Sequence, residues 1–248
     1  LNEKASSLFG KASIALEYLF NQSGPMSMAP SQLGIFTRSD ASFETPNLQY
    51  HVQPLSLEKF GEPVHPFPAF TASVCNLRPQ SRGSIHITGP NISDPPKFNT
   101  GYFSDENDID LKAHIWQYKI QREIMRRTKI YRGELATTHP RFHPSSQAAL
   151  LDLDISQESN ITENIVYSTE DDKAIEQYLR ENINSTWHSL GTAKMAPREQ
   201  MGVVDESLGV YGVRGLKVID LSIVPENVGA NTNNTALVIG EKGAGIIA

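Results

Sequence analysis

Two stretches near the C-terminal end of the chain carry most of the information in this sequence. Residues 187–195 read WHSLGTAKM, and residues 225–235 read PENVGANTNNT. On the residues alone, His188 is either a structural side chain or a chemical group, since imidazole titrates near neutral pH. The asparagine-rich stretch is either a helix N-cap or a helix N-terminus that binds an anion, and both can hold at once.

The composition limits the classes of protein to which the chain can belong. With 248 residues, 39% apolar and 20% charged, the chain can form one large or two modest domains. A net charge of −6 argues against a nucleic-acid partner, and no apolar run is long enough to span a membrane. The single cysteine excludes an internal disulfide and a thiolate zinc site, and we predict no metal. Because both ends lack natural start or stop signals, we expect the chain to be part of a longer protein.

Hydrophobic periodicity and turn residues predict a mixed α/β (α+β) protein. The predicted helices are 6–20, 105–132, a helix opened at Thr169 by a capping box with Asp172, and 235–247. The predicted strands are 48–52, 69–77, 83–88 and a doubly buried strand over 216–224, while 95–101 reads as a loop. We expect a mostly antiparallel sheet over about 30–183, backed by helix 105–132, and a separate layer over 184–248.

The other candidate groups favour ordinary roles. The basic residues in 122–132, beginning with Arg122, are typical of a solvated helix face. Six histidines other than His188 have no neighbouring partner in the sequence, and we expect them to be structural or exposed. The sequence contains no G-x-G-x-x-G motif, phosphate-binding Walker loop, H-E-x-x-H or G-x-S-x-G.

Three further blocks lie between the two stretches and keep the same order along the chain. After residues 187–195 come GVVD (202–205), VYGV (210–213), GLKVID (215–220) and PENVGANTN (225–233). Upstream lie SVCNLRPQSRG (73–83), the prolines at 95–96 and YFSDE (102–106). This order resembles the glucose–methanol–choline (GMC) family of flavoproteins. Within that family, the chain is most similar to fungal alcohol (methanol) oxidases, and the choline-oxidising branch also has asparagine at the position of Asn231. Glucose and aryl-alcohol oxidases have a second histidine there.

The resemblance implies a fold and a partner. It implies that residues 1–183 are part of an antiparallel-sheet substrate-binding domain. Residues 184–248 would then complete an FAD-binding domain with its final strand and helix. The family's N-terminal half, with its G-x-G-x-x-G nucleotide fold, is the missing partner that the resemblance implies, because this chain has no means of holding the ADP part of FAD by itself.

The resemblance also implies a reaction, the FAD-dependent oxidation of a small primary alcohol to an aldehyde with O2 as electron acceptor. His188 would act as acid/base while hydride moves to flavin N5, and Asn231 would hold the alcohol oxygen. Trp187 would wall the substrate pocket. The cofactor-binding residues that the resemblance implies are Asp220, Leu221, Asn231, Thr232 and Asn233.

Two alternatives stay open at this point. A redox-silent relative, such as a hydroxynitrile lyase or a cyclase, would use the same histidine without hydride transfer. A non-catalytic substrate-domain fragment would use neither His188 nor Asn231. The sequence leaves the oligomeric state open, and the compartment would be peroxisomal or extracellular if the source is fungal.

Overall fold

The computed structural model describes residues 1–59, 61–129, 131–135, 137, 139–149 and 163–247. In these ranges the chain is a mixed α/β protein with two small sheets, and the predicted fold class is confirmed. The elements in chain order are α1 (Asn2–Ser6), α2 (Leu8–Asn21), β1 (Leu33–Thr37), β2 (Leu48–Gln53), β3 (Thr71–Asn76), β4 (Ser84–His86), β5 (Lys97–Asn99), α3 (Ile109–Arg126), α4 (Thr169–Asn182) and α5 (Asn233–Ile247).

The chain divides into two compact units, each made of two separate segments. The first unit contains Leu1–Cys75 and Ala113–Asn182, and the second contains Asn76–Lys112 and Ile183–Ala248. The chain passes from one unit to the other after residues 75, 112 and 182, and the last of these boundaries lies one residue before the predicted boundary at 183/184. The other two arise because residues 76–112 group with the C-terminal segment. The assignment of 1–183 to substrate and 184–248 to FAD stays a prediction.

The first unit is built on a three-stranded sheet with β2 in the centre. β1 and β2 are antiparallel, with Leu33 opposite Val52 and Thr37 opposite Leu48. The buried Asn2 fixes α1 to the segment after β2. Its Nδ2 donates to Ser56 Oγ over 2.9 Å, and its Oδ1 accepts from the Ser56 amide over 3.0 Å. A buried side-chain amide needs such partners, because an unpaired one is costly away from water.

Helix α4 begins with a capping box. The Ser168 amide and hydroxyl both donate to Asp171 Oδ2, over 2.8 and 2.7 Å, and the Asp171 amide donates to Ser168 Oγ over 3.2 Å. These bonds satisfy amides at the helix start that have no intrahelical acceptor. The capping pair is therefore one residue earlier than the predicted Thr169 and Asp172.

In the second unit, β4 and β5 form an antiparallel hairpin, with Ser84 opposite Asn99. The chain that leads into β4 is held by the buried carboxylate of Asp110, in the first turn of α3. Asp110 accepts from Asn76 Nδ2 over 3.0 Å and from the amides of Gln80 and Ser81 over 3.0 and 2.8 Å.

The core of the second unit lies between α5 and the segment that precedes it. Buried Val204, Leu208 and Ile223 form the cluster, with Ile219 and Ile239 packed against it. A Cβ added at Gly243 of α5 would lie 2.1 Å from Ile219 Cγ2. Glycine at this position therefore permits the close approach that seats α5 on the core.

The strand predicted over 216–224 does not form, and this prediction is wrong. The segment contains one bridge, between Gly209 and Lys217, and a 3₁₀ turn over Leu221–Ile223. Asp220 Oδ1 accepts from the Ser222 amide and hydroxyl, over 2.8 and 2.5 Å, and this local bonding turns the backbone away from a ladder. Leu216 is 49% exposed, so the segment is not buried on both faces within this chain.

Other predictions also need correction. The expected single sheet over 30–183 is two sheets in different units, and the predicted loop 95–101 contains β5. The predicted helix 6–20 is interrupted, because Ser7 caps α2 through its hydroxyl, which accepts from the Gly10 amide over 3.0 Å. Helix α3 starts at Ile109 rather than 105, since Asp105 Oδ2 accepts from the Ile109 amide over 2.5 Å.

Among the polar residues of the first unit, Arg122 departs from its prediction. Arg122 is buried at 4% exposure and pairs with Glu134 instead of lying on a solvated face. His139 also contacts Glu134, over 2.9 Å, and His65 Nδ1 lies 2.8 Å from Ser56 Oγ, and these contacts agree with the structural role expected for both histidines. In the described part of the chain, no helix is long and apolar enough to cross a membrane, and no group of three potential metal ligands occurs.

Candidate active site

His188 follows a tight turn made by Trp187. Trp187 has φ +62°, a left-handed conformation that is uncommon for a large side chain. Its amide donates to Ser185 Oγ over 2.9 Å, and its indole is 75% exposed. The turn leaves the indole at the surface while the His188 imidazole is half-buried.

Both ring nitrogens of His188 contact side chains of the two residues that immediately precede α5. Asn231 Nδ2 lies 3.0 Å from His188 Nε2, and Thr232 Oγ1 lies 3.0 Å from His188 Nδ1. Thr232 is buried at 3% exposure, whereas Asn231 is exposed. Two consecutive residues thus hold the two edges of one imidazole ring.

Contacts on both sides of Asn231 fix the loop that presents it. Downstream, the Ala236 amide donates to the Thr232 carbonyl over 2.9 Å, which is the first helical bond of α5. Upstream, Arg78 Nη1 donates to the Asn227 carbonyl over 3.0 Å. Gly229 lies so close to the same guanidinium that an added Cβ would be 2.8 Å from Arg78 Nη2.

A cavity of about 420 Å³ lies beside the histidine segment and the 3₁₀ turn. It is lined by Ser189, Leu190, Thr192, Ile219, Asp220, Leu221, Ser222 and Ala236. The hydrogen bonds that Ser222 donates hold the pKa of the Asp220 carboxyl below its usual range. The cavity wall therefore carries an ionised acceptor, several hydroxyl groups and apolar side chains.

The second unit brings most of the predicted residues into two groups. His188, Asn231 and Thr232 bond to one another, and Asp220 and Leu221 line the cavity. Trp187 precedes the histidine on the exposed side, and Asn233 begins α5 and is exposed.

Sequence reasoning did not find Arg78 or Ser185 as supports of the site. Arg78 is separated from Asn227 by 149 residues, and no sequence pattern announces that pairing. Ser185 is different, because a serine two residues before a turn residue is a recognisable turn signal. A larger cavity, of about 860 Å³, lies in the first unit along 141–147 and 166–174 and includes none of the predicted site residues.

Comparisons with known proteins show what this chain is similar to. A family model described as GMC oxidoreductase matches residues 79–240. Alcohol oxidase 1 of Komagataella phaffii is 40% identical over 212 residues, which are 68% of this chain and 32% of that protein. Oxygen-dependent choline dehydrogenase of Brucella melitensis is 31% identical over 243 residues, 97% of this chain and 39% of that protein. The chain thus spans about a third of the length of the alcohol oxidases that it matches.

A solved structure shares the fold. Formate oxidase of Aspergillus oryzae RIB40 superposes with a TM-score of 0.72 at 19% identity, covering 96% of this chain and 41% of the other. At that identity the likeness shows the fold alone. The family match over residues 79–240 covers more than half of the chain and establishes that this chain belongs to the GMC oxidoreductase family.

Proposed function

We propose that the protein containing this chain oxidises a primary alcohol to the aldehyde with FAD, and that His188 and Asn231 handle the alcohol hydroxyl. The observation that carries the proposal is the 3.0 Å distance between His188 Nε2 and Asn231 Nδ2. One oxygen atom can lie within about 2.8 Å of both nitrogens at once, which is an ordinary hydrogen-bond length.

The proton chemistry follows from the donors and acceptors at that point. The alcohol hydroxyl donates to His188 Nε2, and its oxygen accepts from Asn231 Nδ2. As hydride leaves the alcohol carbon, the hydroxyl proton passes to Nε2, so the substrate loses one proton and one hydride and becomes an aldehyde. Asn231 favours the negative charge that develops on the oxygen and cannot itself titrate.

The residues of the second unit fit an FAD cofactor. The Asp220 carboxylate can accept hydrogen bonds from the ribityl hydroxyls, and Leu221 offers an apolar contact beside it. The first amides of α5, from Asn233 onward, have no intrahelical acceptor and favour negative charge. When bound, FAD supplies the acceptor for the hydride. We propose that an N-terminal FAD-binding half acts with this chain, since the matched relatives are about three times its length.

The names of the relatives support the substrate class and the electron acceptor. Alcohol oxidases and an oxygen-dependent choline dehydrogenase both match, which favours alcohols as substrates and O2 as the oxidant. We propose that Trp187, which precedes His188 in the chain, walls a compact pocket for a small neutral alcohol in the complete enzyme. Choline would require an anionic or aromatic enclosure for its quaternary ammonium group, and the two motif stretches contain only Glu226 as a further acidic residue.

The test is anaerobic reduction of the flavin by an alcohol, followed by stopped-flow absorbance in the complete enzyme. We expect His188→Ala to slow reduction by about 10²- to 10⁴-fold, because a positioned base contributes that much. Asn231→Ala should cost less, about 10²-fold, as one lost donor to a developing oxyanion. His86→Ala, an exposed histidine on β4, is the matched control and should leave the rate unchanged.

Three outcomes would count against the proposal. A flavin that no alcohol bleaches, together with cleavage of a cyanohydrin or a cyclisation, would favour a redox-silent relative. A His188→Ala enzyme with a wild-type reduction rate would assign the histidine no role in the step. A kcat/KM for choline or glucose tenfold above that for methanol, ethanol and butanol would reject the small-alcohol pocket.

A further inference from the structure

The Nδ1 side of His188 has a partner that the proposed reaction does not use. Thr232 Oγ1 lies 3.0 Å from Nδ1, and the threonine is buried. A threonine immediately before a helix commonly caps the first turn with its hydroxyl. Here the hydroxyl lies at the imidazole, while the Thr232 carbonyl accepts the first helical bond from Ala236.

The two contacts together define where the imidazole proton lies. A neutral imidazole has one N–H group and one nitrogen lone pair. Asn231 presents Nδ2 to Nε2, and an amide NH₂ group can only donate, so Nε2 holds the lone pair. The proton is therefore on Nδ1, which donates to Thr232 Oγ1, since a hydroxyl oxygen can accept.

We propose that Thr232 is a positioning residue that holds His188 in the Nδ1–H form, with the Nε2 lone pair directed to the place where the alcohol hydroxyl replaces the Asn231 amide as its donor. This inference rests on the proposed function, because it assigns to Thr232 the orientation of the base used there. Without the hydroxyl, the Nδ1 proton loses its acceptor in a buried place. The ring then gains by flipping or by moving its proton to Nε2, and either change removes the base from the alcohol.

The test compares two substitutions of Thr232 in the complete enzyme. Thr232→Val removes the hydroxyl and keeps the branched shape, and Thr232→Ser keeps the hydroxyl. The matched control is Thr71→Val on β3, which removes a threonine hydroxyl that donates to the Leu55 carbonyl over 2.9 Å in the first unit.

The first readout is the ¹⁵N NMR spectrum of histidine-labelled protein, in which protonated and unprotonated ring nitrogens have separate shifts. His188→Gln identifies the His188 signals by their loss. We expect Nδ1 to carry the proton in the wild type, Thr232→Ser and Thr71→Val, and the proton to move toward Nε2 in Thr232→Val. A cap or packing role alone would not move this signal.

The second readout is the rate of flavin reduction by alcohol. We expect Thr232→Val to lower it about 10- to 100-fold, with little change in KM, because the Nδ1 donor loses its acceptor in the folded protein. Thr232→Ser keeps a hydroxyl acceptor and should restore the rate close to that of the wild type. If the valine variant does not fold, Thr232→Ala removes the same hydroxyl and is judged by the same two readouts.

The outcomes separate this inference from the proposed function. A valine or alanine variant that keeps the proton on Nδ1, or that reduces flavin at the wild-type rate, overturns the role of Thr232. If His188→Gln also reduces flavin at the wild-type rate, the proposed function fails as well. If His188→Gln is inactive while Thr232→Val is normal, only the positioning role is lost.

Discussion

Glu134→Gln should destabilise the first unit strongly and change how its stability depends on pH. The Glu134 carboxylate accepts from Arg122 Nε over 2.5 Å and from Nη2 over 2.7 Å, and His139 Nε2 lies 2.9 Å from its second oxygen. Arg122 also donates to the carbonyl of Ala148 over 2.7 Å. Removing the charge of Glu134 leaves a buried guanidinium whose remaining partners, two carbonyls and the Tyr167 hydroxyl, are all uncharged.

The magnitude follows from the pKa of Glu134. Burial raises this pKa, but the hydrogen bonds from His139 and Arg122 and their charges outweigh burial and lower it from 4.5 to about 2. At about 1.4 kcal/mol per pKa unit, the difference corresponds to a stabilisation of about 3 kcal/mol. This agrees with the loss of about 3–5 kcal/mol when one partner of a buried ion pair is removed.

The lowered pKa of Glu134 decides whether the stability of the fold rises or falls with pH. Because the folded-state pKa lies below the unfolded-state value, the carboxylate stabilises the fold fully above about pH 4.5. The contribution is lost as the pH falls from about 4.5 toward 2. The stability difference between wild type and Glu134→Gln should therefore shrink through this window.

Urea unfolding at pH 7 and at steps down to pH 3 provides the measurement. We expect a loss of about 3 kcal/mol in the free energy of unfolding at pH 7. Glu170→Gln is the matched control, since Glu170 pairs with Lys173 at 78% exposure of its side chain and should change stability by less than about 0.5 kcal/mol. A Glu134→Gln protein as stable as this control at pH 7 would refute the reasoning.

Two further predictions concern the packing of the helices. Gly243→Ala should destabilise the fold by about 1–3 kcal/mol, because its Cβ would overlap Ile219 Cγ2, and should slow flavin reduction about 10²-fold by shifting the start of α5. Adding Ile219→Ala should recover the rate in stopped-flow assays, and no recovery would show that the contact does not position the site. Ser168→Ala should cost about 1 kcal/mol in urea unfolding through loss of the α4 capping box, and an unchanged midpoint would contradict that role.

The sequence predicted elements well where one local signal decides the structure. The helix predicted over 235–247 corresponds to α5, and the helix predicted from Thr169 to α4, because spacing and caps act within a few residues. The prediction of a strand over 216–224 was wrong because an apolar run does not distinguish a strand from a turn. Asp220 decides that choice through its bonds to Ser222.

Some contacts of the candidate site were predictable from the sequence, and others were not. His188 and Asn231 were identified as a pair by family resemblance, and the structure brings their side chains within 3.0 Å. The contact of Thr232 with the other ring nitrogen was not predictable, because the residue lies 44 positions from His188 and a helix N-cap explains a threonine equally well. Burial of Arg122 depends on Glu134 in a following loop, so helical periodicity alone could not reveal it.

The interleaving of the two units also sets an order of events during synthesis. Residues 76–112 are made before residues 113–182, which belong to the other unit. The unit that contains residues 76–112 is completed only by the segment that begins at Ile183. Arg78 must wait 149 residues for Asn227, which is about 7–30 s at translation rates of about 5–20 residues per second. During that interval the β4–β5 hairpin has been made but the rest of its unit has not. A chain that ends after residue 183 therefore lacks both the segment that completes the unit of this hairpin and the residues of the candidate active site.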